Sequence, residues 1–496
     1  MTQGGVVDDE LTEIFEYPLT RLDPVRGDHI DPPSPAVYET LLTKGPDDQP
    51  RPGLAQSWTV SEDGRSWRLR LRDDARFHSG APCDAKAVVE ALELTRWGDG
   101  LSRQVWYWDP VDTVAAEGDQ TVVFWLRHRW PRLPTLLWGT HTAIAEPTLW
   151  RENPDTFGVT ISSGTGPYRM VSFDPDEVVA ERVAAGSGQP SRITWRSVPD
   201  DEARAATVAT SDADIVRYVH TFPEDPGARW RMQSQLECSQ FYLAFDFRDA
   251  RGFDDIGFRR SVDAFIDRTE IVANAFGGRG DGRRSPIPAA SSFAAAYDEA
   301  PPALTREAAR RTLAELGWRP GPGGVLARGD DSLVVDCVIQ DTAVCRRIAT
   351  VVQGQLREAG IELRLRPEQL FGDFYRAVQA QPEAFLSKWL WPDAMEAVYG
   401  FCRTDCIEGA GGNWQGARTP EVDRVLDQYQ RSTDDAARWS ATGSFQEAFM
   451  THLPFIPLVS PTEDIAVAAH VSGFGLTPGT LYPAYDDVVV SRGGTS

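Results

Sequence analysis

Three side chains that could bind a metal or act in nucleophilic chemistry fall within one short segment, at His78, Cys83 and Asp84. Imidazole, thiolate and carboxylate groups are common zinc ligands, and a cysteine near a histidine can serve as a nucleophile. A zinc site usually needs four ligands, but the neighbouring sequence has no Cys-x-x-Cys or His-x-x-x-His pair. We therefore expect His78 to bond within its own turn and Asp84 to cap the next helix. No metal and no cofactor is predicted.

Other catalytic motifs are also missing from the sequence. The segment Ser-Ser-Gly-Thr-Gly-Pro at 162–167 lacks the lysine of a phosphate-binding loop, and no helical pattern follows it. The chain contains no Gly-x-Ser-x-Gly, His-Glu-x-x-His or Ser-x-x-Lys motif. These absences argue against nucleotide binding and against the common hydrolase mechanisms.

Composition and charge narrow the class of protein further. The chain has 496 residues, of which 41% are hydrophobic and 25% charged, values typical of a globular protein with two or three domains. Its formal net charge is −23, which disfavours nucleic acid and anionic membrane surfaces as partners. No apolar run approaches the ~20 residues of a transmembrane helix, so we expect no direct membrane insertion.

The first residues after Met1 show neither a basic segment followed by an apolar one nor a lipid-anchoring cysteine. If Met1 is the native start, this pattern predicts a cytoplasmic protein. Six cysteines are too few for a disulfide scaffold, although Cys402 and Cys406 are close enough in sequence to pair. The sequence leaves open whether they are paired.

The first half of the chain is predicted to be rich in β-hairpins. Alternating apolar residues surround an Asp-Gly turn at Asp63, and similar units turn at Gly118 and near Asp174. The second half has amphipathic helices, two of which should end at Gly317 and Gly360. There, a strand–helix–strand order predicts a βαβ unit in a parallel or mixed sheet.

Four ordered motifs together resemble one protein family. They are a hairpin followed by a Phe-His-x-Gly-x-Pro turn and helix at 54–92, a Gly-Thr-Gly-Pro-Tyr strand at 164–168, a helix at 253–272, and the C-terminal helices and strand at 419–461. The chain is similar in these motifs to the family 5 solute-binding proteins of ABC importers, the group that binds oligopeptides, dipeptides or nickel. The similarity runs from about Leu22 to the last strand.

This resemblance implies an α/β fold with two lobes hinged around a buried ligand, the periplasmic-binding-protein-like fold of type II, cluster C. It also implies an additional domain inserted in the first lobe. Lobe I would comprise 1–36, 164–242 and 462–496, the inserted domain 37–163, and lobe II 243–461. We expect a monomer that lies in the cell envelope and works with an ABC permease.

The resemblance places the ligand near the segment Trp-Leu-Trp-Pro-Asp that begins at Trp389. Peptide-binding relatives carry an aspartate shortly after this tryptophan, and it binds the free amino group of the ligand. Here the matching position is Pro392, and Asp393 fits only after a shift of one residue. Aromatic side chains offer large rigid contact area, while a few charged groups orient the ligand. The predicted ligand-binding residues are Trp389, Trp391, Asp393, Phe371, Tyr399, Phe241, Tyr242, Tyr107 and Trp414.

The first hypothesis is therefore a solute-binding protein that encloses a peptide-like or other small ligand bearing an amine or guanidinium group. The alternative is a cytoplasmic relative without an export signal, reused as an enzyme or carrier in specialised-metabolite biosynthesis, since a fold does not dictate a function. In that case Asp393, Glu396 and Tyr399 would be the candidate catalytic residues. A metal or chelate binder is less favoured, because the aromatic-rich segment contains no histidine.

Overall fold

The chain folds into two compact units, one formed by Met1–Gln235 with Glu463–Ser496 and the other by Leu236–Thr462. The assignment of 37–163 to a separate inserted domain stays a prediction. The structure is a computed structural model that describes residues 9–26, 32–45, 49–97, 105–184, 188–210, 212–219, 229–296, 302–390, 394–407, 411–475 and 485–492.

The first unit contains most of the antiparallel strands. The strands that begin before the boundary at Gln235 are β1 (Leu11–Phe15), β2 (Leu42–Lys44), β3 (Pro50–Pro52), β4 (Ala55–Val60), β5 (Ser66–Leu71), β6 (Val111–Glu117), β7 (Thr121–Leu126), β8 (Tyr168–Asp174), β9 (Glu177–Arg182), β10 (Arg192–Ser197), β11 (Ile215–Val216) and β12 (Trp230–Leu236). The helices of this unit are α1 (Ser34–Val37), α2 (Ala85–Trp97), α3 (Leu133–Leu137), α4 (Pro147–Glu152) and α5 (Asp201–Thr210).

The second unit contains the parallel strands and the longer helices. Its strands are β13 (Ser239–Phe245), β14 (Gly280–Asp281), β15 (Arg319–Pro320), β16 (Leu326–Arg328), β17 (Asp331–Ser332), β18 (Val334–Gln340), β19 (Glu362–Glu368) and β20 (Ala384–Leu390). Its helices are α6 (Ile256–Phe265), α7 (Arg268–Phe276), α8 (Arg306–Glu315), α9 (Ala343–Glu358), α10 (Phe371–Gln379), α11 (Ala394–Cys402), α12 (Pro420–Arg431) and α13 (Asp435–His452).

One long strand, β21 (Ile456–Ala468), starts in the second unit and ends in the first. The short strands β22 (Val471–Ser472) and β23 (Val489–Val490) follow it and pair with each other. Within the first unit, the sheet runs in the order β21-β11-β1-β10-β9-β8, and β1 is parallel to both β10 and β11. The core of this unit includes the fully buried side chains of Leu11, Ile193 and Trp195.

The predicted hairpins are present in the first unit. Trp58 pairs with Leu69 across the Asp-Gly turn, and the four strands β4-β5-β7-β6 form one antiparallel sheet. Gly118, between β6 and β7, has a φ of 66°, a left-handed conformation that glycine adopts without steric cost. The third hairpin pairs β8 with β9.

The predicted βαβ unit is present in the second unit. β18 is parallel to β19, and α9 connects the two strands. The sheet of this unit runs in the order β19-β18-β20-β13-β21, with β18 also parallel to β20. Gly317 (φ 92°) follows α8 and Gly360 (φ 82°) follows α9, as predicted for residues that end helices.

The segment at 78–84 has a structural role, but the predicted hydrogen-bond partner of His78 was wrong. His78 does not bond within its own turn. Its Nδ1 accepts a hydrogen bond from the backbone N–H of Gly164 (3.3 Å), and its Nε2 lies 2.9 Å from the carbonyl oxygen of Gly166. A Cβ on Gly164 would come within 2.2 Å of the Val37 carbonyl oxygen, so only glycine lets this segment approach the backbone of Val37 so closely. Two motifs far apart in sequence thus contact each other.

The other two side chains of that segment match the structural interpretation. Asp84 Oδ1 accepts a hydrogen bond from the backbone N–H of Ala87 (2.9 Å) at the start of α2. Cys83 is buried, and burial raises the pKa of its thiol to about 12. Because the thiolate is the reactive form, Cys83 is not an activated nucleophile at neutral pH.

Candidate ligand-binding site

The second unit has two neighbouring parallel strands, β18 and β20, whose carboxyl ends lie at the same edge of its sheet. β13 starts at this edge, because Ser239 at its beginning pairs with Leu390 at the end of β20. In open α/β sheets, ligands bind outside the carboxyl ends of the strands. We call this end of the sheet the carboxyl edge. It is defined by the residues Glu237, Ser239, Gln240, Lys388 and Trp389.

Trp389 lies on the carboxyl edge, and its role in ligand binding stays a prediction. It pairs with Gln240 across the sheet and is 1% exposed. Its indole Nε1 is buried and makes no hydrogen bond to any part of the chain that the structure describes. The side-chain oxygen of Gln240 accepts a hydrogen bond from Ser460 Oγ at 3.0 Å. Trp389 therefore has a donor that no described protein group uses.

Three further predicted residues can be placed only in part. Trp391 and Asp393 lie outside the described residues, between the end of β20 and the start of α11. Phe371 is the first residue of α10. Their roles in ligand binding stay predictions.

Tyr242 and Trp414 belong to one cluster of aromatic rings. The ring of Tyr242 is 4.6 Å from that of Phe455 and 6.1 Å from that of Phe401. Trp414 lies 5.9 Å from Phe401 and 5.0 Å from Tyr375, both between ring centroids. Tyr242 is buried, and this burial raises the pKa of its phenol. It lies inside the cluster, whereas Trp414 is half-buried.

Tyr375 was not predicted as part of the site. It is half-buried on α10, and its ring meets Trp414 edge to face, with an angle of 86° between the ring planes. Edge-to-face pairs of this kind fix the orientation of both rings. The sequence contained one indication of an aromatic surface here. Three aromatic residues, Phe371, Phe374 and Tyr375, lie at the start of α10, shortly after a strand.

The loop that carries Trp414 is anchored by two amide side chains. Asn413 Nδ2 donates hydrogen bonds to the carbonyl oxygens of Arg403 (2.8 Å) and Ala417 (2.8 Å). Gln415 Nε2 donates to the carbonyl oxygen of Phe401 (2.9 Å) near the end of α11. The last carbonyl groups of a helix lack partners within the helix, and here side chains satisfy them. These bonds hold Trp414 in place against Phe401.

Phe241 lies on the other face of β13, since successive side chains of a strand point in opposite directions. It is 3% exposed, and its ring is 6.1 Å from that of Phe276 at the end of α7. The ammonium of Lys388 is 5.7 Å from the Phe241 ring centroid. Phe241 and Tyr242 are thus neighbours in sequence that pack on opposite faces of the sheet.

The candidate catalytic residues on α11 are buried by helix packing. Glu396 is fully buried, and its Oε2 accepts a hydrogen bond from Gln430 Nε2 on α12 (3.0 Å). Tyr399 is 7% exposed, and the Arg403 guanidinium lies 4.7 Å from its ring centroid. Arg403 also forms ion pairs with Asp405 and Asp427. These contacts give α11 and α12 a shared polar interface.

Tyr107 belongs to the first unit and is packed within it. It lies in a short 3-10 helix, Val105–Trp108, and is 2% exposed. Its ring is 5.0 Å from that of His141. Burial lowers the pKa of His141 to about 3, so this imidazole is neutral at physiological pH.

An ion pair at the carboxyl edge was not predicted from the sequence. Lys388 Nζ is 2.6 Å from Glu237 Oε2, and Ser239 Oγ donates a hydrogen bond to the same oxygen at 2.7 Å. The sequence contained one unusual feature at this position, since Lys388 is one of only three lysines among the 50 lysine and arginine residues. Its partner Glu237 could not be identified, since the two residues are brought together by strand pairing alone.

Metal and membrane sites are not evident in the described residues. No group of three or more His, Cys, Asp or Glu side chains in the described part of the chain could hold a metal ion. All six cysteines are present as buried thiols, so Cys402 and Cys406 form no disulfide here. No described helix has the length and apolar character needed to cross a membrane.

Comparison with known proteins identifies the family. The model for bacterial extracellular solute-binding proteins, family 5 Middle, matches residues 49–407. A glutathione-binding protein, GsiB of Shigella dysenteriae, is 25% identical over 459 residues, which cover 87% of this chain and 85% of GsiB.

Solved structures show the same fold. The oligopeptide-binding protein AppA of Bacillus subtilis, in complex with a nonapeptide, has a TM-score of 0.85 at 17% identity, covering 97% of this chain and 99% of AppA. NikZ of Campylobacter jejuni, in complex with Ni(L-His), has a TM-score of 0.81 at 18% identity, covering 95% and 96%. These likenesses confirm the predicted α/β fold of the periplasmic-binding-protein class. The chain belongs to the bacterial extracellular solute-binding proteins of family 5, which bind peptides or small molecules and work with ABC permeases.

Proposed function

We propose that this protein captures a peptide-like or other small ligand that carries an amine or guanidinium group, for uptake by an ABC permease. Membership of family 5, from the match over residues 49–407, is the observation that carries the proposal. The enclosure of the ligand between two lobes, which the family resemblance implies, stays a prediction.

The carboxyl edge of the second unit supports a binding role there. Trp389 has an indole N–H without an acceptor in the described chain, and a buried donor of this kind costs about 1–3 kcal/mol if it stays unpaired. A buried donor without an acceptor in the protein can be satisfied by a bound water or by a ligand. A ligand oxygen near Trp389 would supply the missing acceptor.

The negative charge of the protein supports a cationic group on the ligand. The chain has a net charge of −23, and Asp393 follows the Trp389–Trp391 segment in sequence. A carboxylate forms strong charge-assisted hydrogen bonds with ammonium and guanidinium groups. We assign Asp393 as the group that binds the ligand cation. Glu396 is a poor candidate for this role, because it is fully buried and bonded to Gln430.

Native mass spectrometry of the protein purified from its own host tests the proposal directly. We expect a bound mass whose fragments contain a primary amine or a guanidinium. The Asp393→Asn variant should lose the bound mass, because the ligand cation would lack its counter-charge. Asp155→Asn is the matched control, since the side chain of Asp155 is 94% exposed.

A thermal-shift screen with cationic, neutral and anionic compounds gives an independent test. A ligand present at one hundred times its Kd stabilises the folded state by about 2.7 kcal/mol, so a true ligand raises Tm in a concentration-dependent way. We expect the largest shifts from amine- or guanidinium-bearing compounds. Stabilisation by neutral or anionic compounds alone would contradict the proposed ligand class.

A further inference from the structure

The four-stranded sheet β4-β5-β7-β6 of the first unit carries a groove with a volume of about 530 Å³. This size falls within the range of about 300–1,000 Å³ that is typical of small-molecule sites. The groove belongs to the first unit and shares no residue with the carboxyl edge. We call it the sheet groove and define it by Asp63, Arg65, Ser66, Asp112, Thr113 and Trp125.

Trp125 lies on the outer face of this sheet. Its neighbour Phe124 pairs with Trp67 across the sheet, and both of these side chains are buried. Successive side chains of a strand point to opposite faces, so Trp125 points away from the core. The outer face of an antiparallel sheet with one buried face is usually polar. The tryptophan on this face is therefore not part of the core.

The residues beside Trp125 leave its ring accessible. Because β7 lies between β5 and β6, Trp125 has Ser66 as its neighbour on one side and Thr113 on the other. Both side chains are polar and too short to cover an indole ring. Trp125 is half-buried, and its N–H forms no hydrogen bond with the part of the chain that the structure describes. The groove thus presents an aromatic surface and a hydrogen-bond donor.

The pairing of β6 with β7 is irregular at this position. Val111 pairs with Leu126 and Thr113 pairs with Trp125, so Asp112 is an extra residue on β6. A β-bulge of this kind redirects a side chain, and bulges are frequent beside active sites. Asp112 is exposed, and its carboxylate forms no hydrogen bond or ion pair with any described residue. A hydrogen-bond acceptor is therefore available on the β6 side of Trp125.

Arg65 supplies hydrogen-bond donors on the β5 side. Its Nε donates to the carbonyl oxygen of Leu126 (3.3 Å), which holds the guanidinium next to the end of β7. Its Nη groups donate to none of the described residues. The turn before β5 is held by Asp63, whose Oδ1 accepts hydrogen bonds from Ser61 Oγ (2.6 Å) and from the backbone N–H of Arg65 (3.0 Å). The donor is thus positioned before a ligand binds.

The charges around the groove are balanced. The lining carries two carboxylates, Asp63 and Asp112, and two guanidinium groups, Arg65 and Arg68. Arg68 is already paired with Glu117, through hydrogen bonds of 3.1 Å and 3.0 Å. An anionic ligand would meet the two carboxylates and a cationic ligand would meet Arg65, so neither sign of charge is favoured. The groove instead suits a neutral ligand whose polar groups both donate and accept hydrogen bonds.

A pyranose sugar has this chemistry. Each of its hydroxyl groups donates one hydrogen bond and can accept others. The C–H groups of one ring face can lie flat on the large apolar surface of an indole. We propose that the sheet groove binds a neutral saccharide, with one pyranose ring stacked on Trp125 and its hydroxyl groups bonded to Asp112 and Arg65. This site is additional to the one in the proposed function and does not depend on it.

An extended peptide fits this position less well than a sugar. Peptides that add to a sheet form hydrogen bonds with the main chain of an unpaired edge strand. The strand that carries Trp125, β7, is paired with β5 on one side and with β6 on the other. Its main-chain groups are therefore already used.

Saturation-transfer NMR with the intact protein tests the inference. The probes are the methyl glycosides of glucose, galactose, mannose and N-acetylglucosamine, and the disaccharides maltose and cellobiose. We expect transfer to the ring C–H protons of at least one probe, whose Kd is then measured by titration. Absence of transfer to every one of these sugars would overturn the inference.

Replacement of the tryptophan locates the bound sugar. Trp125→Ala should weaken binding at least about tenfold, because the stacking surface is lost; this corresponds to about 1.4 kcal/mol. Trp439→Ala is the matched control, since Trp439 is a 43% exposed tryptophan of the second unit, and it should keep the affinity. Equal affinity of Trp125→Ala and the unsubstituted protein would show that the sugar binds elsewhere.

Asp112→Asn tests the hydrogen bonds without removing the ring. The side chain keeps its size but loses the charge that strengthens a bond from a hydroxyl group, so we expect binding to weaken about fivefold or more. Since Asp112 has no hydrogen bond or ion pair with the described chain, Tm should stay unchanged, and the lost affinity is then not a loss of folding. Unchanged affinity in this folded variant would overturn the placement of the sugar beside the bulge.

Charged and aromatic probes test the ligand class. Glucuronic acid and glucosamine carry one charge each and should bind no more tightly than methyl glucoside. Caffeine is a flat aromatic molecule without hydroxyl groups and should bind more weakly than the sugars. Tighter binding of any of these three probes would overturn the assignment of a neutral saccharide.

Discussion

At the scale of single residues, His78 joins two segments that lie more than eighty positions apart. The Gly164 N–H donates to Nδ1, so the ring proton is on Nε2, which donates to the carbonyl oxygen of Gly166. Burial, together with the nearby charge of Arg169, lowers the pKa of His78 despite the opposing effect of the Gly166 carbonyl. The neutral imidazole is therefore the form that the folded state favours.

The stability contributed by His78 should depend on pH. The folded state binds a proton at His78 more weakly than the unfolded chain, whose histidine titrates near 6.5. The contribution is thus complete above about pH 6.5 and decreases as the pH falls below that value, by at most about 1.4 kcal/mol per pH unit. Urea unfolding of the unsubstituted protein and of His78→Gln at pH 7.5 and 5.5 measures this effect. Between these two pH values, His78→Gln should lose less free energy of unfolding than the unsubstituted protein. Equal losses for both proteins would contradict this account.

Asn413 is another residue with a local role that can be measured. It is fully buried, and besides its bonds to Arg403 and Ala417 its Oδ1 accepts the Ala417 N–H at 3.0 Å. Asn413→Ala leaves several buried backbone groups unpaired, so we expect a loss of about 1–3 kcal/mol in the free energy of unfolding. Asn274→Ala is the control, because the Asn274 side chain donates a single bond to the Glu270 carbonyl on an exposed helix face. A similar loss in both variants would argue against the anchoring role.

At the scale of elements, two glycines at α9 illustrate how position decides the effect of one substitution. Gly360 follows the helix with a φ of 82°, and a Cβ there would lie 2.8 Å from Leu326 Cγ. Gly354 lies within α9, and a Cβ there would meet no atom within 4 Å. The first glycine is required by the connection to β19, and the second is not.

We expect opposite effects from the same change at these two positions. Gly360→Ala should destabilise the protein by at least about 1–2 kcal/mol, because a side chain is strained at positive φ. Gly354→Ala should stabilise it by about 0.5–1 kcal/mol, because alanine favours the helix. Urea unfolding of both variants measures the difference. A stabilised Gly360→Ala would show that α9 does not end as described.

Elements were also the level at which sequence patterns were most informative. The Asp-Gly turn after Val60 and the apolar alternation on either side predicted β4 and β5, because turn chemistry and side-chain alternation are local properties. The short strands β11, β14 and β15, of two residues each, were not predicted. Such strands exist because neighbouring strands offer hydrogen bonds, and a local pattern does not contain that information.

At the scale of the whole molecule, distant parts of the chain meet in a buried polar network in the first unit. Arg217 Nη2 is 2.6 Å from Glu463 Oε1, and Arg217 Nη1 is 3.6 Å from Glu13 Oε1. Tyr485 donates a hydrogen bond to Glu13 Oε2 at 2.5 Å and accepts one from Trp195 Nε1 at 3.0 Å. The guanidinium supplies the positive charge between two buried carboxylates.

Removal of that charge should be costly. Arg217→Met leaves Glu13 and Glu463 close together without a counter-charge, so we expect a loss of about 3–5 kcal/mol in the free energy of unfolding. Burial already raises the pKa of Glu13, so the loss should become smaller as the pH falls and the carboxylate takes up a proton.

Arg68→Met provides the control for this prediction. Arg68 and Glu117 form an ion pair in which both side chains are almost half exposed, at 47% and 45%. Exposed pairs contribute about 0–1 kcal/mol, so this variant should lose little stability and show little dependence on pH. Comparable losses in both variants would indicate that Arg217 is not in a buried network.

The sequence by itself determined the local elements and the family. Hairpin turns, helix ends such as Gly317 and the four ordered motifs are contiguous patterns, so each could be recognised without knowledge of what packs against it. The interest in the segment at Trp389 came from the resemblance to the family rather than from a local pattern.

Only the tertiary structure decided which distant residues act together. Glu237 meets Lys388 through the pairing of β13 with β20, and His78 meets Gly164 and Gly166 through a close approach of two backbones. Tyr242 and Phe241, adjacent in sequence, are separated by the alternation of the strand, and Tyr242 joins Phe401 and Phe455 instead. Contacts between residues far apart in the chain depend on strand order and register, which are properties of the assembled sheet rather than of any single segment.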